Sequence, residues 1–349
     1  MASSAADLAV SLLKTASSPD EDFFFSPSSI ASALLLIHEG ARNETKKEST
    51  KFLDKGGSLR EITNYYTQLT SNLNKPKQGP PKDKWERAQY ETEVEIFMAN
   101  RMYIDTDFNV KNDYRKRIET RYKAEIEKVN MGDTKGTAKK MNDFVEERTD
   151  GMITDFVSPQ CLTGSVTVLI NAVSFTGTWD KKFDGTKKKL FRGVRGNRKG
   201  FVNRSSFLIV KPLGNFTKWR EGQSGEKLRA IISGMNKCYI NNVEVPEFKM
   251  ETEFDVGETL KELGVKRIFG GAADLSAISN VPGLCVSSIT HKAVIEVDTE
   301  GTRAAAATKC VCFGSHGQRP QEIDKFVADR PFLYVISYCD DAVFMGQFV

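Results

Sequence analysis

The sequence predicts a mixed α/β domain of the α+β kind, in which helices and strands alternate irregularly around one large core. Hydrophobic residues make up 40% of the 349-residue chain, a globular composition that can bury such a core. Segments with the apolar spacing of helices are interspersed with short runs rich in β-branched residues. The chain has no internal repeat and no clear boundary, so we expect a single domain over residues 1–349.

The first elements are predicted to be a helix, a strand and a second helix. Apolar residues separated by polar and small ones predict an amphipathic helix in residues 1–18. An apolar run at 23–25 then leads into Ser26, a good N-cap, and Pro27, which suits the first helical turn. The apolar helix that follows is expected to end at Gly40.

The middle of the chain contains two apolar runs that predict strands. Residues 94–104 are typical of a largely buried strand. Residues 166–175 form the most apolar run and are too β-branched for a helix, so they predict a central strand. Between the two runs we expect a helix over 137–157 that ends near Gly151. An alternating pattern at 243–251 predicts a strand exposed on one side.

The last part of the chain combines short elements with one long connection. Residues 256–264 predict a short helix, residues 294–298 a strand, and residues 332–337 and 342–348 a final pair of strands. A segment rich in small residues separates the strand at 294–298 from that final pair. Connections of this length inside a domain are usually functional or disordered, and we interpret this one as functional.

Charge, hydrophobicity and cysteine content argue against several classes of protein. A net charge of +4 gives no expectation of a nucleic acid or a membrane as partner. No apolar run approaches the roughly 20 residues that span a bilayer. The N-terminus lacks a basic leader followed by an apolar core, which predicts a cytoplasmic protein, with release outside the cell without a signal peptide as the alternative. The six cysteines have no framework spacing and are expected to be free thiols.

Motifs for catalysis or cofactor binding are absent from the sequence. It contains no Gly-x-Ser-x-Gly elbow, no Walker A loop and no Gly-x-Gly-x-x-Gly after a strand. We expect His38 in the core at a helix end, and His291 at the opening of a strand, where it can orient a local hydrogen bond. Cys310, Cys312 and His316 are spaced too tightly for a usual zinc site. We therefore expect no enzyme activity, no cofactor and no metal.

A basic stretch suggests an alternative role. Residues 181–204 include ten lysines and arginines, which could bind a polyanion such as a glycosaminoglycan. A solvated basic loop is the simpler interpretation, because few aromatic residues are interleaved. The residues that would hold such an anion are Lys187, Lys188, Lys189, Arg195, Arg198 and Lys199.

The long connection has the side-chain pattern of a strand. Alternate positions from Thr302 onward form one face without a charged or large residue: Thr302, Ala304, Ala306, Thr308, Cys310 and Cys312. The opposite face carries both charges, Arg303 and Lys309. Because side chains in a strand alternate between faces, this segment could enter a sheet with its small face buried and its charges outward. A loop that can become a strand stores a conformational change.

In combination, motifs spread over most of the chain resemble those of the serpin family of serine protease inhibitors. They are FSPSSI at 25–30, GAR at 40–42, ANR at 99–101, NAVSF at 171–175, GTW at 177–179, HKA at 291–293, EGT at 300–302, the alanines at 304–307, ADRPF at 328–332 and FMG at 344–346. The resemblance is to the intracellular, ovalbumin-like type, which has no signal peptide.

The resemblance implies a serpin fold with three β-sheets, a large central sheet A, surrounding helices and an exposed reactive-centre loop at about residues 299–325. It implies a metastable, monomeric suicide substrate. A target serine protease attacks the loop and forms an acyl-enzyme, and insertion of the cut loop into sheet A then traps it in a covalent complex. The hinge would comprise Thr299, Glu300, Gly301, Thr302, Arg303, Ala304, Ala305, Ala306, Ala307 and Thr308.

The reactive bond is placed by counting along the loop. The family's usual distance from the hinge implies the bond Ser315–His316, whereas counting back from the C-terminal motif implies a bond around Gly317 to Arg319. Ser315 would suit an elastase-like protease, Phe313 a chymotrypsin-like one and Arg319 a trypsin-like one. The target class therefore stays open among these three.

Two regions depart from the family pattern. Thr299 occupies a position that is usually Glu, and Arg303 one that is often acidic. Residues at about 192–207 resemble a shortened form of a long apolar section, which would leave sheet edges unpaired. These departures keep two alternatives open. One is a non-inhibitory serpin with a binding or chaperone-like role, and the other is a polyanion-binding serpin.

Overall fold

Helices and strands alternate irregularly along the chain. In the described residues the strands form three sheets. The computed structural model describes residues 3–54, 59–73, 95–179, 196–202, 205–234, 239–299, 301–302, 322–338 and 341–349. The helices within this part are α1 (Ser3–Ala16), α2 (Pro27–Gly40), α3 (Asn43–Leu53), α4 (Leu59–Leu73), α5 (Asn112–Tyr122), α6 (Thr134–Arg148), α7 (Phe216–Glu221), α8 (Gly225–Ser233) and α9 (Val256–Glu262), with short 3-10 turns at Pro159–Leu162 and Arg267–Phe269.

Several of the strands follow the predicted apolar runs, whereas the strand Gly196–Val202 lies in the stretch interpreted as a basic loop. They are β1 (Phe23–Phe25), β2 (Glu95–Asp105), β3 (Glu125–Val129), β4 (Thr167–Thr178), β5 (Gly196–Val202), β6 (Ser205–Lys211), β7 (Tyr239–Glu244), β8 (Phe248–Asp255), β9 (Ser288–Val297), β10 (Gly301–Thr302), β11 (Glu322–Val327), β12 (Phe332–Tyr338) and β13 (Asp341–Phe348).

The largest sheet has six strands and contains the most apolar run of the sequence. Its order is β3-β2-β4-β9-β8, and the short strand β10 pairs with β4. A five-stranded sheet has the order β1-β13-β12-β6-β5, and β11 pairs with β7 in a parallel two-stranded sheet. The predicted mixed fold with a large central sheet is confirmed, and β4 lies inside that sheet as expected.

Local signals place the start of α2 correctly. The Ser26 hydroxyl accepts a hydrogen bond from the backbone N–H of Ser29 at 3.1 Å, and Pro27 is the first helical residue. Every residue of α2 is buried, because the helix runs through the core instead of along its surface. The predicted cap is confirmed.

Two predicted boundaries were wrong, whereas the predicted end of a helix near Gly151 is confirmed. Helix α6 ends at Arg148, because Asp150 and Gly151 adopt positive φ angles of 53° and 72°, and residues 149–157 are not helical. The strand predicted at 243–251 is two strands, β7 and β8, separated around Pro246, which has no N–H for a ladder hydrogen bond. Strand β9 begins at Ser288, so His291 lies within it and does not open it.

Strand β4 is covered on both faces. Leu169, Val173 and Phe175 belong to the larger hydrophobic cluster, together with α1, α2 and the five-stranded sheet. Val168 and Ile170 point the other way, into a second cluster with α6 and the segment that follows it. A strand buried on both faces needs the continuous apolar run that the sequence shows.

None of the helices in the described ranges is long and apolar enough to span a membrane.

Gly346 of β13 is required by a close approach between strands. A Cβ atom at this position would lie 2.4 Å from the Tyr334 hydroxyl oxygen and 2.6 Å from the Phe23 carbonyl oxygen.

We expect Gly346→Ala to destabilise the fold by about 1–3 kcal/mol, because the backbone of β1 must move. Thermal unfolding followed by circular dichroism measures the change. Gly214→Ala is the matched control, since its Cβ would meet nothing within 4 Å; equal melting temperatures for both variants would contradict this account.

Candidate functional site

The two central strands of the large sheet pair over only part of their length. Strands β4 and β9 are parallel and pair from Val168↔Ser288 to Ser174↔Val294. Strand β4 continues to Thr178 and β9 to Val297, and in the described part of the chain these last residues of the two strands do not pair with each other. The sheet therefore has an opening at one end, which we call the β4/β9 opening.

Two residues of the predicted hinge, Gly301 and Thr302, lie in this opening. Gly301 pairs with Thr178 and Thr302 with Gly177, antiparallel to β4. The first residues of the long connection are thus already a short strand, placed where β4 has no partner in β9. Because the pairing is antiparallel, the direction from Gly301 to Thr302 runs along β4 toward the part of the sheet that is closed.

Trp179 closes one side of the opening. Its indole Nε1–H donates to the carbonyl oxygen of Asp298 at 2.8 Å, which links the residue after β4 to the residue after β9. Its ring meets Phe207 of β6 edge to face, with centroids 5.5 Å apart. Trp179 therefore connects the large sheet to the five-stranded sheet at the entrance of the β4/β9 opening.

A buried polar cluster lies further along the same two strands. His291 of β9 and Asn171 of β4 are register partners, and the His291 ring nitrogen Nδ1 is hydrogen-bonded to the Asn171 side-chain oxygen. The other ring nitrogen, Nε2, accepts from the backbone N–H of Ser26 at 3.1 Å. Since Nε2 accepts, Nδ1 carries the proton and donates. A strand that entered between β4 and β9 would have to break the Asn171–His291 bond.

The Asn171 amide also binds the start of α2 and the neighbouring strand. Its Nδ2 lies 2.9 Å from the Ser29 carbonyl oxygen, 2.7 Å from the Ser29 hydroxyl and 2.8 Å from the Asn100 side-chain oxygen. The Ser26 hydroxyl donates to the carbonyl oxygen of Val343 in β13 at 2.8 Å. The cluster thus joins β2, β4 and β9 to α2 and, through it, to the five-stranded sheet.

Burial determines the charge state of two histidines. Desolvation lowers the pKa of His291 to about 3, although its bond to Asn171 opposes the shift. Burial, followed by the charge of Lys46, lowers the pKa of His38 to about 4, and His38 is hydrogen-bonded to Ser49 at 2.8 Å. Both imidazoles are therefore neutral at physiological pH. The expectation that His38 is a core residue is confirmed.

The opposite face of β9 is attached to the segment after α6. The Lys292 side chain is 8% exposed, and its ammonium lies 2.7 Å from a Glu251 carboxylate oxygen and 3.3 Å from the Thr154 carbonyl oxygen. Asn142 of α6 holds the same segment through two hydrogen bonds with the backbone of Val157, at 2.8 Å and 3.0 Å. The strands around the opening are therefore fastened on both faces of the sheet.

The structure places some of the predicted site residues and not others. Thr299, Gly301 and Thr302 lie at the opening, whereas Glu300 and 303–308 are outside the described residues. The candidate reactive-bond residues Phe313, Ser315, His316, Gly317 and Arg319 are also outside. Of the basic residues, Arg198 and Lys199 lie in β5, while Lys187, Lys188, Lys189 and Arg195 are outside the described residues.

Sequence reasoning missed the polar cluster as a unit. Asn171 is a fully buried amide within a largely apolar run, and such a group needs hydrogen-bond partners. That signal could have predicted a partner for Asn171, but not that His291, 120 residues away, supplies it. Cys161 and Cys285 are free thiols, and among the described residues no three His, Cys, Asp or Glu side chains group to hold a metal.

Comparison with protein families agrees with this geometry. A family model described as Serpin (serine protease inhibitor) matches residues 3–202 and 200–349. The chain belongs to the serpin family. Iris from Ixodes ricinus is 31% identical over 359 residues, which cover 93% of this chain and 91% of Iris. Human Serpin B3 is 27% identical over 373 residues, covering 95% of this chain and 94% of the relative.

Solved structures show the same fold. The structure of human thyroxine-binding globulin complexed with its hormone superposes with a TM-score of 0.80, at 23% identity, and covers 99% of this serpin and 96% of that chain. At this identity the likeness shows the fold alone. The serpin architecture predicted from the motifs is therefore confirmed, and the β4/β9 opening lies in its central sheet.

Removing the Asn171 amide should destabilise this serpin strongly. Asn171→Ala leaves the buried His291 N–H without a partner and removes one donor from the Asn100 oxygen and one from the Ser29 carbonyl. A buried unsatisfied group costs about 1–3 kcal/mol, and the cavity left by the missing amide adds to this loss. Urea unfolding measured by tryptophan fluorescence should show a loss of at least about 2 kcal/mol. Asn109→Ala, whose side chain accepts an exposed bond from Lys128 at 3.3 Å, should change stability by less than about 0.5 kcal/mol. Equal losses would refute the role of the cluster.

The two neutral histidines should make the serpin less stable in acid. Their folded pKa values lie below 6.5, so the unfolded chain binds more protons between the folded values and 6.5. Their contribution is complete above pH 6.5 and is lost as the pH falls, by up to about 1.4 kcal/mol per pH unit for each histidine. Urea midpoints from about pH 7 to about pH 5 test this. His38→Gln should reduce the slope by about half; an unchanged slope would exclude His38 as a contributor.

Proposed function

We propose that this serpin inhibits serine endopeptidases as a suicide substrate, and that residues 301–312 enter the central sheet between β4 and β9. The observation that carries this proposal is the pairing of Gly301 and Thr302 with the unpartnered end of β4. A segment that already forms the first two pairs needs no new nucleation to continue along the same strand. Loop insertion of this kind is the recognised transition of inhibitory serpins.

The register of the hinge predicts how far insertion proceeds. Gly301 pairs with Thr178 and Thr302 with Gly177, so each further residue of the loop moves one residue back along β4. Continuing in step, residue 312 reaches Thr167, the first residue of β4. The inserted strand would use the whole of β4 and would lie antiparallel to both β4 and β9. It would thereby replace the parallel pairing between them.

The small face of the loop matches the side of β4 that packs on the larger core. In the continued register Ala304 lies opposite Phe175, Ala306 opposite Val173 and Cys310 opposite Leu169. These three β4 residues are all buried in the larger cluster. Paired residues of neighbouring strands share a face, so each small side chain would enter a region that is already filled. A larger side chain there would overpack the core.

The opposite face of the loop, which carries Lys309, would meet a buried cluster that the sequence pattern does not indicate. Lys309 would lie opposite Ile170, which is 1% exposed and packed in the second cluster beneath α6. Its ammonium would then have to extend past this cluster to reach water, as long basic side chains do along apolar surfaces. We therefore propose that complete insertion displaces the segment that follows α6, including the Thr154 contact of Lys292.

The proposed reaction uses the protease as catalyst and the serpin as substrate. The protease serine attacks the carbonyl carbon of Ser315, the bond to His316 breaks, and an ester joins Ser315 to the protease. Residue 312 would then lie at the far end of β4, about 37 Å from Gly301 for eleven steps of about 3.4 Å. Trapping requires that this movement precedes hydrolysis of the ester. Ser315, Phe313 and Arg319 keep elastase-like, chymotrypsin-like and trypsin-like targets open.

Mixing the serpin with elastase, chymotrypsin and trypsin tests the proposal. We expect an SDS-stable complex with at least one of them, and mass spectrometry of the released C-terminal fragment should identify the bond. Ala306→Arg should convert the serpin into a substrate that is cut without complex formation, because the charge would enter the core beside Val173.

Ala306→Ser is the matched control, since a small side chain should keep most of the complex formation. The behaviour of the wild-type protein in this experiment distinguishes inhibition from the non-inhibitory binding alternative. Cleavage without a complex, together with no gain in heat stability after cleavage, would refute inhibition and support the non-inhibitory binding alternative. Complex formation that persists undiminished in Ala306→Arg would refute the proposed register.

A further inference from the structure

Two arginines of α5 share one buried carboxylate near the end of α2. The Glu39 side chain is 12% exposed, and its carboxylate oxygens lie 2.9 Å from Nη1 of Arg121 and 3.4 Å from Nη1 of Arg117. The hydroxyl of Tyr122 donates to the same carboxylate at 3.2 Å. One negative charge therefore faces two positive charges at this point.

Two further cations, Arg42 and Lys46, lie beside this carboxylate. Arg42, the residue before α3, donates to the carbonyl oxygens of Ala41 at 2.8 Å and of Glu39 at 3.5 Å. The backbone N–H of Lys46 donates to the Arg42 carbonyl oxygen at 3.1 Å, so the two side chains lie one turn apart on the same face of α3. Glu39 and the four cations around it are called the Glu39 cluster; the cations are Arg42, Lys46, Arg117 and Arg121.

The Lys46 ammonium is held among charges of its own sign. Its side chain is half-buried, and within the described part of the chain it makes no hydrogen bond and no ion pair. Burial, followed by the charge of Arg42, lowers the pKa of Lys46; Arg117 adds to this shift and Glu39 opposes it. The single nearby carboxylate therefore does not compensate the Lys46 charge.

More deeply buried lysines of this serpin have a carboxylate partner. The Lys211 side chain is 0% exposed, and its ammonium lies 2.9 Å from a carboxylate oxygen of Asp329. The Lys292 side chain is 8% exposed and lies 2.7 Å from Glu251. A desolvated charge is costly unless it is paired in this way. Lys46 departs from the pattern, which indicates that an anion from outside the described residues compensates it.

Acidic side chains on or beside α3 are bound elsewhere. The contacts are Glu44 with the Lys47 ammonium at 2.6 Å, Glu48 with the backbone N–H of Arg267 at 2.8 Å, and Asp274 with the Asn43 amide at 2.6 Å. Asp274 is close enough to Arg42 for the two charges to interact, yet even with Asp274 included the cluster has four cations and two carboxylates. An excess of positive charge at a partly buried place attracts anions.

The shape of the cluster favours a small oxyanion. Its cations come from the start of α3 and from α5, on either side of the end of α2, and Arg42, Lys46 and Arg117 are only half exposed. A polymer would instead require basic side chains spread along an open surface. Guanidinium groups bind the oxygens of a phosphate in pairs, and an ammonium adds a compact charge with three donors.

We propose that the Glu39 cluster binds a phosphate group, either inorganic phosphate or the terminal phosphate of a small phosphorylated molecule. Lys46 and Arg42 would donate to its oxygens, and Arg117 would be shared between the phosphate and Glu39. The bound anion would balance the charges of α3 and α5 and join the two helices. This site is independent of the proposed loop insertion, since none of its residues belongs to the large sheet.

Isothermal titration calorimetry with inorganic phosphate and with pyrophosphate tests the site, at an ionic strength kept constant with potassium chloride. We expect Lys46→Met to weaken binding at least about tenfold, because a hydrogen bond between charged groups is lost. Lys47→Met is the matched control, since it removes the same charge from the next residue, which is exposed and paired with Glu44. This control should change the affinity by less than about twofold.

Thermal unfolding with and without phosphate gives a second readout. Without phosphate, Lys46→Met should melt no lower than the wild type, because it removes a repelled charge. With phosphate, the wild type and Lys47→Met should gain in melting temperature, whereas Lys46→Met should not. If Lys46→Met does not fold, Lys46→Gln gives the same comparison.

The outcomes of these measurements distinguish the sources of the anion and the alternatives to the site. Tighter binding of pyrophosphate would support a phosphorylated molecule as the ligand, and tighter binding of inorganic phosphate would support the free ion. The same heat signal and melting temperature in phosphate and in chloride would overturn the proposal. Equal weakening in both variants would also overturn it, since net charge alone would then explain binding. So would binding of a heparin oligosaccharide without binding of either phosphate, which would indicate a polyanion surface.

Discussion

The incomplete pairing of β4 with β9 is the constraint on which the rest of the molecule depends. Two parallel strands share seven register pairs, although β4 has 12 residues. The unused end of β4 exposes backbone donors and acceptors to the hinge, and Gly301 and Thr302 already occupy them. An unpaired strand end attracts a further strand because each added pair satisfies backbone groups. The direction and length of any insertion follow from this one register.

Strands β4 and β9, which would separate in the proposed insertion, are held on both faces. On one face the Asn171–His291 bond joins them to α2, and on the other Lys292 and α6 fasten the segment that covers β4. Each hydrogen bond contributes only about 1 kcal/mol net, while an inserted strand adds a pair at every residue along β4. The closed sheet therefore persists because several buried contacts must break together, and not because any one of them is strong.

Much of the fold followed from local patterns. The cap at Ser26 and the β-branched run that became β4 are short-range signals, and the structure confirms them. The small residues after Thr302 predicted a segment suited to a sheet, because side-chain alternation is a local property. The break between β7 and β8 also has a local signal, because proline cannot donate a ladder hydrogen bond. The alternating pattern on either side of Pro246 instead predicted one continuous strand.

Contacts between distant parts of the chain could be decided only by the tertiary structure. The partner of Asn171 lies 120 residues away, and the partner of Lys211 lies 118 residues away. Sequence shows that each polar group needs a partner, since burial without one is costly. It does not show which partner, because that choice depends on how the sheets pack against each other. The sequence alone therefore predicted a segment whose alternating side chains suit a strand, because that pattern is local. The packing of the sheets decided where its first residues, Gly301 and Thr302, pair with β4.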